Sequence, residues 1–439
     1  FGVGMFEDDD YCRRVTELGF KLVCARDSFI HHWQRASFKL LGEDEYLRIY
    51  RENQSKFEEK WRHANTEAQA EKHREQLREI IARIHQSRGV VIFLASIGWR
   101  VNLFQRPHHL AQTFARQGYV AIFDSRGSQD GVNGFEEIEH NLFLFDGAER
   151  LLHEIPEPLL WTLPYNFDRA DNFPDVSRRV YDWIDDLAVF PYEREFLERN
   201  HQRALREAAL IASVAAPLHR QALQHRPDAI YLPNGVEYEF FAEPELNRPR
   251  PQSGARQLSS ALPQDDADFM ALLDEGKPIA GYYGALASWF DYDLLDEVAA
   301  RRTDWNFLLI GQSLDDSLKQ HSLLTRANVK WVGPRAYASL PDYLQSFDVA
   351  LIPFAINDIT LATSPLKLYE YLAGGKPVIA TPMPECEMFK EVFIARNATE
   401  FARLLDIAAE RGRDETFRRR LRELAQENSW TARVRAVEH

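Results

Sequence analysis

Hydrophobic and polar positions change rhythm three times along the chain. Residues 1–42 mix short apolar runs with acidic and aromatic residues. Residues 43–86 carry neither Pro nor Gly and are rich in Glu, Lys, Arg, Gln and Ala. Tyr46, Ile49 and Tyr50 recur there at helical spacing, as do Leu77, Ile80, Ile81 and Ile84. The pattern predicts a helical tail and then a solvated helical spacer. At Gly89 the rhythm becomes that of buried strands. Val90–Ala95 is apolar throughout, as suits a parallel strand covered on both faces. A helix is predicted from about Pro107, with Leu110, Ala111, Phe114 and Ala115 on one face and Gly118 as its stop. Residues 119–123 form the next strand, which completes a βαβ unit.

Further strands are predicted at 159–163, 180–183, 210–213 and 229–232. Residues 242–266 lack periodicity and read as an exposed linker. A second β/α series follows, with strands at 278–283, 306–310, 329–332, 349–353 and 377–381. The expected architecture is α/β: two doubly wound, Rossmann-like domains facing across a cleft, where ligands usually sit. The expected boundaries are 88–241 and 267–439, joined by 242–266 and preceded by a helical linker at 62–87.

Composition narrows the function classes. Hydrophobic residues make up 45% of the 439 and charged residues 27%, enough for ordinary globular cores. A net charge of −14 argues against a general nucleic-acid binder. Cys12, Cys24 and Cys386 are scattered, with neither metal-ligand spacing nor a disulfide framework, which fits a reducing compartment. No apolar run is long enough to span a bilayer. The chain starts at Phe1 rather than Met, and the expectation is a piece of a longer protein whose C-terminus is also clipped.

One stretch carries chemistry. In residues 363–380, Ser364 suits an N-cap, Pro365 a first helical position, and Gly374-Gly375 a helix end before a strand. The helix N-terminus then lies at the carboxyl edge of a parallel sheet, where free N–H groups and the helix dipole favour an anion. Lys367 adds a full positive charge in the first turn. Glu370, one turn deeper on the same face, suits a pair of vicinal hydroxyls. Together they match a diphosphate joined to a ribose. The plain alternative is a surface helix with a Lys–Glu pair.

Residues 88–439 resemble GT-B glycosyltransferases of the large family 4 group. The resemblance rests on the block Ser364-Pro365-Leu366-Lys367-Leu368-Tyr369-Glu370-Tyr371-Leu372-Ala373-Gly374-Gly375-Lys376-Pro377-Val378, similar to that family's donor-site helix. It extends to residues 105–111, 181–186, 233–236 and 281–286. It implies an N-terminal acceptor domain and a C-terminal nucleotide-sugar domain. The donor would be a nucleoside diphosphate sugar, bound by Gly284, Ser364, Pro365, Leu366, Lys367 and Glu370. The acceptor would be a saccharide or lipid-linked saccharide in surface polysaccharide assembly. The implied setting is cytoplasmic, at the inner face of the membrane, with no nucleic-acid partner, no cofactor and no metal in this part. Two departures stand out. The position eight before Glu370, where the family carries a Glu that contacts the transferred sugar, is Ala362. The family's Arg/Lys pair beyond the Gly284 loop is replaced by Ala287-Ser288-Trp289-Phe290-Asp291.

Other signals weigh less. Asp185 and Asp186 follow a strand and offer a base for an acceptor hydroxyl. Arg106, His108 and His109 open the first helix of the N-terminal domain. Neighbours on a helix point about 100° apart, so at most one of the His pair is expected in a site. For all of these, capping or salt bridging is the competing reading. Asp291-Tyr292-Asp293 is read as a helix cap rather than a metal motif. Residues 1–61 carry a separate resemblance, to the C-terminal end of a family 2 (GT-A) glycosyltransferase. It rests on Phe6 to Arg14, Gly19 to Val23, His31-His32 and residues 50–61. The nucleotide-binding half of such a domain is absent, so this part is expected to be an inactive remnant. Rival readings are a nucleotide-sugar epimerase or phosphorylase of the same fold, and a non-catalytic sugar-binding partner of another transferase.

Overall fold

The computed structural model describes residues 6–17, 48–50, 52–54, 56–57, 67–95, 97–101, 104–242 and 267–438. The 242–266 linker beyond its first residue lies outside them, as do Gly19 to Val23 and His31-His32 of the N-terminal resemblance. The chain divides into two units, residues 1–78 and 79–439. In the first, the acidic run opens a helix, Glu7–Glu17, in which Asp10 is buried and pairs with Arg14 at 3.1 Å. A helix at Glu67–Ile84 runs across the division between the units. Leu77, Ile80 and Ile84, whose helical spacing marks it in the sequence, are buried.

The second unit holds two sheets. The first contains β1 (Val90–Phe93), β2 (Val120–Asp124), β3 (Gly134–Glu139), β4 (Leu142–Asp146), β5 (Leu159–Thr162), β6 (Arg179–Trp183), β7 (Leu210–Ser213) and β8 (Ile230–Tyr231), in the order β3-β4-β2-β1-β5-β6-β7-β8. All pairs are parallel except β3 with β4. Every residue of β1, β2 and β6 is buried, as expected of strands covered on both faces. The β3–β4 hairpin escaped the sequence reading. Its outer strand carries Glu136, Glu137 and Glu139, and its turn depends on Asn141 at φ 64°.

The second sheet contains β9 (Ile279–Tyr283), β10 (Asn306–Ile310), β11 (Val329–Trp331), β12 (Val349–Ile352), β13 (Val378–Ala380) and β14 (Phe393–Ile394), in the order β11-β10-β9-β12-β13-β14. Its five longer strands lie within the predicted runs, and its pairs are all parallel. The order reverses at β9 and β12. That is the switch point at whose carboxyl edge doubly wound sheets bind ligands.

Each sheet has its own apolar cluster. The last helix, Trp430–Glu438, crosses back to the first: Trp430 and Val434 belong to the cluster of β1 and β2, against helix Arg106–Arg116. Gly235 permits that return, because a Cβ there would lie 3.0 Å from the Asn428 carbonyl oxygen and 3.0 Å from the Trp430 amide.

Candidate donor and acceptor site

A cavity of about 1070 Å³ opens between the two sheets. Its floor is helix Leu366–Ala373, which begins one residue later than predicted. Pro365 is the N-cap and Ser364 precedes it, so Ser364 caps nothing. Ser364 instead ties the helix to the opposite sheet. Its Oγ accepts from the Asn234 amide at 3.2 Å, and its carbonyl accepts from Asn234 Nδ2 at 2.6 Å. The loop 233–235 thus aims the helix N-terminus into the cavity. The Leu368 amide is taken by the Pro365 carbonyl at 3.0 Å, while the amides of Leu366 and Lys367 lack intrahelical acceptors by position and suit an anion.

Lys367 lies beside that terminus. Its Nζ sits 4.8 Å from the ring centre of Phe354 and 5.3 Å from that of Tyr282, so two aromatic faces hold the cation. Burial lowers its pKa to about 8, against the pull of Glu370. Gly284, with φ 139°, makes room: a Cβ there would stand 2.7 Å from Lys367 Cε. Glu370 is buried, and burial raises its carboxyl to about 7. The Tyr283 hydroxyl, Lys367 and the Tyr337 hydroxyl oppose that rise, while Glu237 adds to it. Gly284, Ser364, Pro365, Leu366, Lys367 and Glu370 all line the one cavity.

The candidates from the first sheet separate. Asp185 lines the cavity, half-buried, with the Thr363 hydroxyl 3.4 Å from its carboxylate. Burial raises it to about 7; Thr363 opposes this and Asp186 adds to it. Asp186 does not share that position. It accepts from the Ala188 amide at 2.8 Å and caps the 3-10 turn Leu187–Val189. Arg106 is 4% exposed and bonds Asp182 with both Nε (2.8 Å) and Nη2 (2.9 Å). Its Nη1 reaches the Pro233 carbonyl and Asn234 Oδ1. Arg106 therefore stands one step behind helix Leu366–Ala373, bracing Asn234, and does not line the cavity.

His109 is 1% exposed, stacks on Trp430 at 5.1 Å, and has Nδ1 3.1 Å from Glu237. It too lies in the interior. His108 receives the Gln105 amide on Nδ1 at 3.1 Å and has Nε2 2.8 Å from the Gly98 carbonyl; burial lowers its pKa to about 4, so the ring is neutral. Asp291 caps the helix beginning at Tyr292, as read from sequence, by accepting from the Leu294 amide. Ala362 is buried in an apolar cluster with Tyr181, Trp183 and Phe167. Among the described residues no group of three or more His, Cys, Asp or Glu is placed to hold a metal ion.

Sequence reasoning missed Gly311, at φ 144° just beyond β10, and the cavity residues Tyr337 and Glu237. Gly311 repeats the signal that found Gly284, a glycine directly after a strand at the same sheet edge. Tyr337 and Glu237 gave no local signal.

Residues 278–409 match the family model for glycosyl transferases group 1. A search of solved structures aligns 80% of the chain with 97% of sucrose-phosphate synthase from Thermosynechococcus elongatus, at TM-score 0.59 and 15% identity. Anabaena HepE in complex with UDP-glucose aligns over 80% of this chain and 98% of its own, at TM-score 0.52 and 16% identity. The chain has the GT-B fold. The chain also matches a Bacillus subtilis (strain 168) protein, TuaH, whose name places it among teichuronic acid biosynthesis glycosyltransferases. That match is 23% identical over 256 residues, 56% of this chain, and spans 60% of the relative's length. The cavity lies between the two GT-B sheets, and no helix among the described residues is long and apolar enough to cross a membrane.

Proposed function

We propose that this protein transfers a sugar from a nucleoside diphosphate sugar to a hydroxyl of a saccharide or lipid-linked saccharide in surface polysaccharide assembly. The observation that carries the reading is the joint presence, on one cavity wall, of a helix N-terminus, Lys367 in its first turn and Glu370 one turn deeper. Anabaena HepE, of the same fold, has been solved with UDP-glucose. The similarity to TuaH supports a role in polysaccharide assembly. In this reading residues 267–439 supply the donor site and residues 88–241 the acceptor side. Residues 1–61 are a remnant of a second, GT-A transferase. Cys12 and Cys386 are free thiols, which suits the cytoplasmic side of a membrane.

The helix amides and Lys367 receive the diphosphate, and ionised Glu370 accepts from the ribose hydroxyls. As the bond from the sugar's anomeric carbon to phosphate breaks, negative charge grows on the leaving diphosphate. Fixed positive groups there lower the barrier. Asp185, at the cavity edge of the first sheet, takes the proton of the acceptor hydroxyl as the new glycosidic bond forms. No residue of this mechanism calls for a metal ion.

Glu370→Gln tests the assignment. It keeps the shape and loses a charge-assisted bond worth roughly 1.5–3 kcal/mol, so nucleoside diphosphate affinity falls more than turnover. Calorimetry beside steady-state turnover reads both, and a variant that binds as tightly as the parent refutes the ribose role. A second reading, a non-catalytic sugar-binding partner, draws on Ala362, where the family's sugar-facing carboxylate is missing. It predicts no nucleotide release in the presence of any acceptor.

A further inference from the structure

The N-terminus of helix Leu366–Ala373 is held from the opposite sheet, and one residue does most of the holding. Asn234 is 8% exposed, lines the cavity, and has each of its four polar groups taken. Its backbone amide donates to Ser364 Oγ at 3.2 Å, and its Nδ2 donates to the Ser364 carbonyl at 2.6 Å. Its Oδ1 accepts from Arg106 Nη1 at 3.3 Å, and its carbonyl accepts from Arg433 Nε at 3.1 Å. These partners leave the side-chain amide one orientation. A flip would aim Nδ2 at a guanidinium and Oδ1 at a carbonyl oxygen.

Arg106 is fixed in turn by two bonds to buried Asp182, and Asp182 by the Trp161 indole at 2.9 Å. A continuous line of hydrogen bonds therefore runs from the core of the first sheet to the residue before the N-cap of a helix in the second. The helix itself holds that residue weakly. Pro365 has no N–H to give, and the Tyr369 hydroxyl lies a long 3.5 Å from Ser364 Oγ. The rest of the helix needs no such help. Leu368, Tyr369, Tyr371, Leu372 and Ala373 are buried in the apolar cluster of the second sheet. What Asn234 governs is the first turn.

We propose that Asn234 is a positioning residue of the diphosphate subsite. It sets the direction of the Leu366 and Lys367 amides, so an anion-binding turn of one sheet is aimed by a side chain of the other. Aim matters because an N–H bond weakens steeply as it departs from linearity. Freed of Asn234, the first turn loses its direction, while Glu370, in the buried part of the helix, keeps its place. The inference rests on the donor-site reading proposed above.

The test compares a nucleoside diphosphate with its own nucleoside. Whichever of uridine, guanosine and adenosine diphosphate the parent binds is titrated by calorimetry, and the matching nucleoside is titrated by competition against it. Asn234→Ala removes little else: Arg106 keeps Asp182 and the Pro233 carbonyl at 3.2 Å, and both backbone bonds of residue 234 remain. The variant should bind the diphosphate about tenfold more weakly, the effect of one lost hydrogen bond, and the nucleoside within about twofold of the parent. Ser364→Ala loses the hydroxyl but keeps the carbonyl, so its loss should be selective in the same sense and smaller. A merely structural role would weaken both ligands together. Equal losses, or parent-like diphosphate binding by Asn234→Ala, overturn the proposal. If Asn234→Ala does not fold, the selectivity of Ser364→Ala decides. Lys367→Ala is measured alongside. If it also spares the diphosphate, or if the parent binds none of the three nucleotides, the donor-site reading falls and takes the role of Asn234 with it. A selective loss in Lys367→Ala beside parent-like Asn234→Ala sinks only the role of Asn234.

Discussion

Gly311 and Gly284 meet backbone to backbone: a Cβ added to Gly311 would stand 1.8 Å from the carbonyl oxygen of Gly284. These two glycines end neighbouring strands, β10 and β9, on the cavity rim. Gly311→Ala combines this clash with a φ of 144° that L side chains rarely adopt. It should lower stability by about 2 kcal/mol or more and push Gly284 toward Lys367. Denaturant unfolding and nucleotide titration read the two effects. Gly276→Ala, also at positive φ but with nothing within 4 Å of the added carbon, should lose less stability and keep nucleotide affinity.

Catalysis should show a bell-shaped pH profile. Asp185 must be ionised to take a proton and Glu370 to hold the ribose, and burial raises both to about 7. Below that pH the rate falls. Lys367 must stay protonated to neutralise the diphosphate, and burial lowers it to about 8, so the rate falls again above that pH. The measurement is kcat/KM from pH 5.5 to 9.5. Lys367→Arg should carry the alkaline limb out of this range, because guanidinium stays charged throughout.

Arg106→Ala should injure folding first. It strips both Arg106 bonds from buried Asp182 and leaves that carboxylate the indole N–H of Trp161 at 2.9 Å. Breaking a buried pair from one side costs about 3–5 kcal/mol. A urea midpoint that barely moves, with turnover lost, would instead make Arg106 a reacting group.

Ala362→Glu installs the residue that the family 4 glycosyltransferases, which the sequence resembles, carry at this place, yet it should not improve turnover. The site is 5% exposed and lies in the apolar cluster with Tyr181 and Trp183. A carboxylate buried there loses its hydration, and a loss of about 2 kcal/mol or more is expected. Thermal unfolding measures it, and a stable variant with faster turnover would show that the side chain reaches the sugar.

What the sequence disclosed follows the range of each interaction. The buried strands announce themselves because every residue in β1, β12 and β13 is apolar, a local property. Lys367 and Glu370 were legible because helical spacing alone puts them on one face. Arg106 and His109 looked like polar residues at a cleft. Their partners Asp182 and Glu237 are distant in sequence, and no local pattern announces a buried pair. The N-cap of the donor helix was misplaced by one residue because Ser364 is spent on Asn234, a contact that crosses between sheets. The β3–β4 hairpin was missed because its edge strand, with Glu136 and Glu137 consecutive, has no period-2 alternation and resembles a surface loop.

The return of helix Trp430–Glu438 to the first sheet makes the two halves of the GT-B part unequal as modules. The segment that follows the second sheet completes the core of the first, with Trp430 beneath His109 and Arg433 bonded to the Asn234 carbonyl at 3.1 Å. A cut within 242–266 therefore does not yield two self-sufficient pieces. The leading piece would expose an apolar slot and the trailing piece an orphan helix, and each would recover its fold by binding the other. Recombination that trades the second-sheet half between such proteins must leave residues 430–438 with the first-sheet half, or exchange both.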